Sequence, residues 1–387
     1  MSVPSPPFAL PGSRHRLQLV FTLDYEIHGN GEGSPQELMV ARTDRLLDVL
    51  EEAGAKLTIM ADTVEILKFR EHREATGRDD YGYGAIEDQL KRTVARGHDV
   101  QLHLHTAYAR ARADEGRWAL DYRDYDLARL AYDRIHALVR EGKGYLEGLL
   151  RPVRPSYTCH AFRSANWSMS PSVDIVRALV ANGMQIDTSV FKHGRRSGLV
   201  RFDYSRAESD TEPWPVDSSD VCRRDDGGRL FEFPIYCELR PIWSFLSLNR
   251  VNNALQNIIH PLPPSAPEAS GTDVADGRAA STRGAASLLR RAAGLMGALF
   301  ENHALKLDFN QCSGRQMVAA LRRAAARHAD RQSDLPIVLI GHSKLFTRHN
   351  EGQLRKCLRY VVSRSDLYGF STFDGFDVET FRKPARP

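Results

Sequence analysis

The chain has 387 residues, of which 42% are hydrophobic and 26% are charged. A chain with these proportions can fold around a sizeable core, which excludes collagen, coiled coil and wholesale disorder. Its 53 basic and 49 acidic residues leave a net charge of only +4, so we expect no nucleic-acid partner.

The sequence has no apolar stretch close to the roughly 18 residues that a membrane-spanning helix requires. The segment before residue 16 lacks the apolar run of a secretory signal. Five cysteines are scattered without a CxxC pair, which is typical of reduced thiols. We therefore expect a cytoplasmic protein without a transmembrane segment, and the oligomeric state stays open.

Short apolar runs alternate with segments of helical periodicity, which is typical of a parallel α/β fold. Strands are predicted at 17–23, 57–60, 99–103, 160–163, 184–190, 230–236, 337–340 and 369–373. Helices are predicted at 36–53, 86–95, 125–150 and 173–181. Seven or eight strands separated by helices favour a barrel-like sheet, and an open doubly wound sheet is the alternative.

The predicted elements are compatible with one catalytic domain over residues 14–387. We interpret residues 107–158 as a helical insertion within it. Residues 261–283 are rich in Pro, Ser, Ala and Gly without an apolar period, which predicts a flexible insertion. The helix predicted at 285–300 has an apolar face that would dock on the body of the protein or, less favourably, on an anionic surface.

Acidic and histidine side chains alternate at the ends of two predicted strands. Asp24 and Glu26 are two residues apart, so a strand places both side chains on one face. His103 and His105 share a face in the same way. Two histidines and a carboxylate make a ligand set that zinc favours, with an open position for water. The pattern predicts a metal site formed by His103, His105 and a carboxylate of the Asp24 and Glu26 pair, with His28 as a reserve ligand.

Three further polar residues end predicted strands, namely Arg163, Asp187 and His342. The carboxyl ends of parallel strands share one face of a barrel, so we expect these side chains near the histidine and carboxylate pairs. An arginine and an aspartate placed there can orient and tune a catalytic histidine or carboxylate.

Five segments, in this order, resemble the motifs of the polysaccharide deacetylase family, also called the NodB-homology domain or carbohydrate esterase family 4. Residues 22–26 (TLDYE) look like the first motif, TFDDG, and residues 97–103 (GHDVQLH) match part of GHEIGxHTxxH. Residues 162–163 (FR) look like FRxPY, and residues 187–191 (DTSVF) are similar to the Asp-Ser-Ser stretch that follows it. Residues 337–342 (IVLIGH) look like the last motif, an apolar strand that ends in histidine.

The resemblance implies a distorted (β/α)7 barrel and a metal-dependent amide hydrolase that acts on N-acetyl groups of amino sugars. It makes Asp24 the catalytic base, Arg163 the residue that orients this base, and His342 the catalytic acid. Asp187 is implied as a supporting carboxylate and His103 as the first metal histidine. Zinc is the expected divalent metal, with cobalt and manganese as alternatives.

The sequence departs from the family pattern at two positions of the metal site. Tyr25 occupies the place of the usual second aspartate, and Glu26 is expected to substitute for it as in branches with an Asp-x-Glu motif. Ala107 stands where the second histidine belongs, so His105 is the nearby replacement.

The expected substrate is an N-acylated amino sugar, or its nucleotide-linked or lipid-linked form, used to build a bacterial surface polysaccharide such as O-antigen or capsule. Two alternatives remain: a cyclic-imide or allantoin-type amidase on the same barrel, and a degenerate homologue that binds glycans without hydrolysing them. A nucleotide-binding loop at residues 29–34 (GNGEGS) is disfavoured, because nearby acidic residues would repel a pyrophosphate.

Overall fold

The computed structural model of the chain describes residues 16–114, 117–241, 302–331 and 333–382, together with residues 244 and 250. The flexible insertion predicted at 261–283 and the helix predicted at 285–300 lie outside the described residues. Within those ranges, the core is a cluster of buried apolar side chains contributed by both strands and helices. No helix there combines the length and the apolar composition that crossing a bilayer demands.

The strands, in chain order, are β1 (Leu17–Tyr25), β2 (Leu57–Asp62), β3 (Asp99–Leu104), β4 (Arg112–Asp114), β5 (Arg117–Ala119), β6 (Ala161–Ser164), β7 (Ile186–Asp187), β8 (Arg195–Arg196), β9 (Phe202–Asp203), β10 (Trp214–Asp217), β11 (Asp220–Arg224), β12 (Phe231–Glu232), β13 (Cys237–Pro241), β14 (Asn302–Lys306), β15 (Leu335–His342) and β16 (Tyr368–Phe370).

The α-helices are α1 (Arg42–Glu51), α2 (Thr63–Thr76), α3 (Tyr83–Ala95), α4 (Tyr132–Leu150), α5 (Val173–Ala181), α6 (Gly314–Arg327) and α7 (Arg348–Val362). A π-helical segment, Gln36–Ala41, leads into α1. The 3-10 turns are Thr106–Arg110, Tyr122–Asp124, Leu127–Arg129, Ala165–Trp167, Ser343–Leu345, Phe373–Gly375 and Val378–Phe381.

Seven of the strands form a parallel ring. β1 pairs with β2 on one side and with β15 on the other, and the sheet continues from β2 through β3, β6 and β7 to β12. Beyond β12, Ile235 forms a parallel bridge with Val338 of β15, and the Tyr236 N–H donates to the Val338 carbonyl at 3.0 Å. These bonds connect the two edges, so the predicted α/β barrel is confirmed in preference to the open sheet.

The ring strands are short apolar runs because helices and loops cover both of their faces. Every residue of β2 and β3 is buried, which is typical of parallel strands. β2 is longer than predicted and ends at Asp62, whose side chain accepts a hydrogen bond from the Glu65 N–H and so caps α2. The sequence analysis missed α2, although Val64, Ile66 and Phe69 give it a buried apolar face.

The segment at 107–158, predicted to be a helical insertion, also contains the β4–β5 hairpin. Its helix, α4, begins at Tyr132 and not at residue 125 as predicted. The preceding Leu127–Arg129 turn buries Leu127 and Ala128, and the Ser168 hydroxyl donates to the Asp126 carboxylate. These contacts fix the chain outside helical geometry before α4 begins.

Candidate functional site

The strand register brings the candidate residues to one end of the ring. Asp24 on β1 lies opposite His342 on β15, and Asp62 on β2 lies opposite His103 on β3. His103 in turn lies opposite Arg163 on β6. All of these positions are at or near the carboxyl ends of their strands, where a parallel barrel places its functional side chains.

Asp24 is buried between two basic side chains. The Arg163 Nη1 donates to Asp24 Oδ1 at 2.7 Å, and His342 Nε2 lies 3.6 Å from Asp24 Oδ2. Burial raises the pKa of Asp24, but the neighbouring Arg163, with smaller contributions from His103 and His342, outweighs burial and holds this pKa below its ordinary value. Asp24 is therefore an ionised carboxylate at neutral pH.

The predicted metal ligands form a cluster. Glu26, His103 and His105 each offer a ligand atom within 4.8 Å of the others. His103 Nδ1 hydrogen-bonds to the Arg163 carbonyl at 2.8 Å, which fixes the proton on Nδ1 and leaves the Nε2 lone pair available.

Two buried atoms of this cluster lack the hydrogen bonds that buried polar atoms ordinarily form. His103 Nε2 and Glu26 Oε2 lie 3.5 Å apart, and neither forms a hydrogen bond. An imidazole nitrogen and a carboxylate oxygen, both acceptors, can face each other at low cost when a cation lies between them. The donor set therefore fits a divalent metal ion.

His105 lies between two carboxylates. Its Nδ1 is 2.8 Å from Glu26 Oε2 and also 2.8 Å from Asp62 Oδ2, to which it hydrogen-bonds. Burial lowers the pKa of His105, but the charges of Glu26 and Asp62 outweigh burial and raise this pKa well above its ordinary value. The two carboxylates favour positive charge here, either as a proton on the imidazole or as a metal ion.

Lys344 was not identified from the sequence. Its Nζ donates to Glu26 Oε1 at 2.6 Å and to the Ile27 carbonyl at 3.2 Å. This leaves Glu26 Oε2 directed at the histidines. Burial raises the pKa of Glu26, but His105 and Lys344 hold it well below the ordinary range. Lys344 lies in the Ser343–Leu345 turn beyond the end of β15, so strand alternation does not predict its position.

One departure from the family pattern, Tyr25, has a structural explanation. Tyr25 is fully buried on the opposite face of β1, where its hydroxyl donates to Gln89 Oε1 at 2.6 Å. Glu26 is therefore the carboxylate that reaches the histidines. β1 ends at Tyr25, and the His28 N–H donates to the Glu32 carbonyl in the following turn, so strand alternation does not extend to the reserve ligand His28.

The described contacts of Asp187 do not include His342, and the expected support of His342 by Asp187 stays a prediction. Asp187 accepts from the Ser189 hydroxyl at 2.6 Å and lies next to the buried Glu232. Burial raises the pKa of Asp187, and burial together with Asp187 raises that of Glu232 well above its ordinary value. Glu232 ends a very short strand, and no spacing in the sequence links it to Asp187.

The side chains that surround His342 include Asn310 and Asp308. The His342 N–H donates to Asn310 Oδ1, and the Asn310 N–H donates to Asp308 Oδ1 at 2.8 Å. His342 Nδ1 is buried without a hydrogen bond. Burial holds the pKa of His342 below its ordinary value, although the nearby carboxylates, among them Asp24 and Asp308, act against burial. Asp308 was not among the residues predicted from the sequence, and its carboxylate interacts electrostatically with His342.

Neither a protein-family model nor a curated protein matches the chain. Similar solved structures include a polysaccharide deacetylase from Bacillus cereus (12% identity, TM-score 0.37, 92% of each chain covered). Puue allantoinase has 13% identity and a TM-score of 0.45 over 97% of this chain and 93% of its own. A 4-alpha-glucanotransferase from Thermococcus litoralis has 12% identity and a TM-score of 0.44, over 94% of this chain but 40% of its own.

Similarities of this size do not distinguish among the activities of those proteins. The features that do characterise this chain are its ordered motifs and the convergence of their residues at one end of a parallel ring. In these two respects, the chain resembles the polysaccharide deacetylase family.

Proposed function

We propose that this protein is a metal-dependent amide hydrolase that removes an N-acetyl or similar N-acyl group from an amino sugar. The observation that carries the proposal is the convergence of two groups of side chains from distant parts of the chain. The first group is buried and consists of Asp24 with Arg163 and His342 on either side of it. The second is the adjoining ligand cluster of Glu26, His103 and His105.

Asp24 is placed to act as the general base. Arg163 keeps Asp24 ionised, so that Asp24 can accept the proton of a water molecule that attacks the amide carbonyl. Glu26, His103 and His105 would hold the metal ion, which when bound lowers the pKa of water and polarises a carbonyl. Lys344 fixes the orientation of Glu26 for this purpose.

His342 is placed to act as the general acid on the other side of Asp24. The amide C–N bond breaks only when the departing nitrogen gains a proton, and His342 supplies that proton so that the free amine and the carboxylate are released. Asp308 and Asn310 hold the segment that carries His342. Asp24 then returns the proton that it took from water to the bulk solvent or to His342.

The proposed substrate is a precursor of a bacterial surface polysaccharide, linked to a nucleotide or a lipid, and the proposed metal is zinc. This part of the proposal extends the motif resemblance, in particular residues 22–26 and 337–342. Residue chemistry alone supports the coarser class, an amide hydrolase with an acid, a base and a cation site.

The proposal is tested by measuring acetate release from UDP-N-acetylglucosamine and free N-acetylglucosamine with zinc-loaded protein. Asp24→Asn and His342→Ala should each lower the rate at least about 100-fold, in line with the loss of a general base or acid. Asp203→Asn, an exposed carboxylate of β9, is the matched control and should leave the rate unchanged. Full activity in either site variant contradicts the assigned role.

The metal ligands are tested separately by elemental analysis of the purified protein. His105→Ala should lower the zinc content per chain and the affinity for zinc, because it removes one of three ligands. An unchanged stoichiometry with unchanged affinity would show that the third ligand is another residue.

A cyclic-imide or allantoin-type amidase is the second candidate function. The observation that favours it is the positive charge already near Glu26, from Lys344 and His105, which provides a cationic site without a metal. Hydantoin, dihydrouracil and allantoin, assayed with and without a chelator, separate the two functions. Ring opening that survives the chelator would support the amidase and contradict the deacetylase.

A further inference from the structure

A lysine is buried between two aromatic rings beside the candidate site. Lys306, the last residue of β14, is only 7% exposed. Its Nζ lies 3.2 Å from the centroid of the Trp167 ring and 4.4 Å from that of the Phe191 ring. Cation–π contacts of this kind hold an ammonium group in place but give it no hydrogen-bond acceptor.

Lys306 lies at the same end of the ring as the candidate catalytic residues. Trp167 ends the turn that follows β6, four residues after Arg163, and Phe191 follows β7. Lys306 also precedes Asp308, whose carboxylate interacts with His342, by two residues. The ammonium group is therefore next to the side of the site where His342 acts.

The backbone and the side chain at position 166 hold this arrangement. Asn166 and Trp167 both adopt left-handed conformations, with φ of 54° and 56°. Such strain at consecutive non-glycine residues is typical of functional sites. The Asn166 Oδ1 accepts hydrogen bonds from the Tyr125 hydroxyl at 3.0 Å and from Arg196 Nη1 at 3.1 Å, which anchors the turn.

Two donors in this region are buried without a hydrogen-bond partner among the described residues. These are Arg196 Nη2 and Asn166 Nδ2, and the ammonium of Lys306 beside them faces the Trp167 and Phe191 rings. Buried donors ordinarily find acceptors, so the cluster is suited to a ligand that brings several acceptor oxygens.

The charges in this region also favour a ligand that carries negatively charged oxygens. Burial, together with the charges of Arg250 and Arg196, lowers the pKa of Lys306 to about 7 against the opposing effect of the Asp308 carboxylate. The basic side chains gathered around Lys306 favour an anionic ligand.

We propose that Lys306, Arg196 and Asn166 form a subsite that binds an anionic group of the substrate, a carboxylate or a phosphate, beside the amide that is hydrolysed. The inference deepens the proposed function, on which it rests for the identity of the neighbouring reaction. It assigns the substrate to the charged amino sugars, either uronic acids or sugar phosphates, and not to neutral glycans.

The test uses calorimetric titration of the full chain with three probes: glucuronate, glucose 1-phosphate and neutral N-acetylglucosamine. At least one anionic probe should bind about 10-fold or more tightly than the neutral one. Lys306→Met and Arg196→Met should each weaken its binding by about 10- to 100-fold, as expected for a lost charge-assisted hydrogen bond. Tighter binding of glucuronate would identify a carboxylate as the anionic group of the substrate, and tighter binding of glucose 1-phosphate would identify a phosphate.

The matched control is Arg195→Met, which removes an equal charge from the neighbouring exposed position, where Arg195 pairs with Asp203. It should leave the affinity unchanged, and Lys306→Arg should retain most of it. If Lys306→Met fails to fold, the partly exposed Arg196 carries the test. Equal affinities in the wild-type chain and the Arg196→Met variant, or no binding of either anion, would overturn the subsite.

The binding readout does not require turnover. Anion binding that is lost in Lys306→Met, in a chain that releases no acetate, would retain the subsite and reject the proposed reaction. Acetate release with equal affinities in all variants would retain the reaction and reject the subsite.

Discussion

The ion pair between Arg163 and Asp24 gives the sharpest prediction about stability. Arg163 is fully buried, and its guanidinium donates to Asp24 Oδ1 at 2.7 Å and to the Thr188 carbonyl at 2.9 Å. Arg163→Met retains most of the side-chain volume but leaves the Asp24 charge without its closest partner. Removing one member of a buried ion pair ordinarily costs about 3–5 kcal/mol.

The assay is urea unfolding at pH 7.5, followed by tryptophan fluorescence, with the denaturation slopes compared before the midpoints are interpreted. Arg195→Met is the control, because Arg195 and Asp203 are both more than half exposed and the loss of such a pair costs at most about 1 kcal/mol. Arg163→Met should therefore be destabilised several times more than the control.

A double variant separates the ion pair from other effects of the substitution. Asp24→Asn combined with Arg163→Met removes both charges. Arg163→Met should therefore lower the free energy of unfolding much less in the Asp24→Asn background than in the wild-type chain. We expect a coupling energy of about 1.5 kcal/mol or more. Additive losses of unfolding free energy in the double variant, or an Arg163→Met variant as stable as the control, would refute the assignment of Arg163 as the partner of Asp24.

Two further substitutions test the packing and titration of the site. Glu232→Gln retains an acceptor for the Val190 N–H and can donate to Asp187. Because burial and Asp187 raise the pKa of Glu232, the folded chain holds a proton that the unfolded chain releases above about pH 4, and stability falls as the pH rises. The stability gained by Glu232→Gln should therefore grow from pH 5 to pH 8 in thermal unfolding; a constant difference contradicts the raised pKa. Gly341→Ala would place a Cβ 2.1 Å from the Phe309 ring, so it should cost about 1–3 kcal/mol in urea unfolding and displace His342, with lost activity; a fully active, stable variant would contradict this packing.

Local pattern was sufficient for much of the ring and for the main residues of the site. The apolar runs at 57–60, 99–103 and 337–340 all became parallel strands, because buried strands need continuous apolar sequence. The two-residue period of a strand predicted that Glu26 and His103 would face one site, and their ligand atoms lie within 4.8 Å of each other.

The remaining parts of the site depend on contacts that no local pattern encodes. Glu232 meets Asp187, and Asp308 meets His342, only because the ring brings β7, β12 and β15 together. Lys344 lies in a turn beyond β15, and its ion pair with Glu26 spans more than 300 residues.

The central claim is that Glu26, His103 and His105 hold a catalytic cation beside Asp24 and His342. Diffraction from zinc-soaked crystals at the zinc absorption edge tests it most directly. The account predicts an anomalous peak about 2.0–2.2 Å from His103 Nε2 and Glu26 Oε2. A map with no zinc within reach of His103, or with Lys344 and His105 alone occupying the space around Glu26, would contradict it.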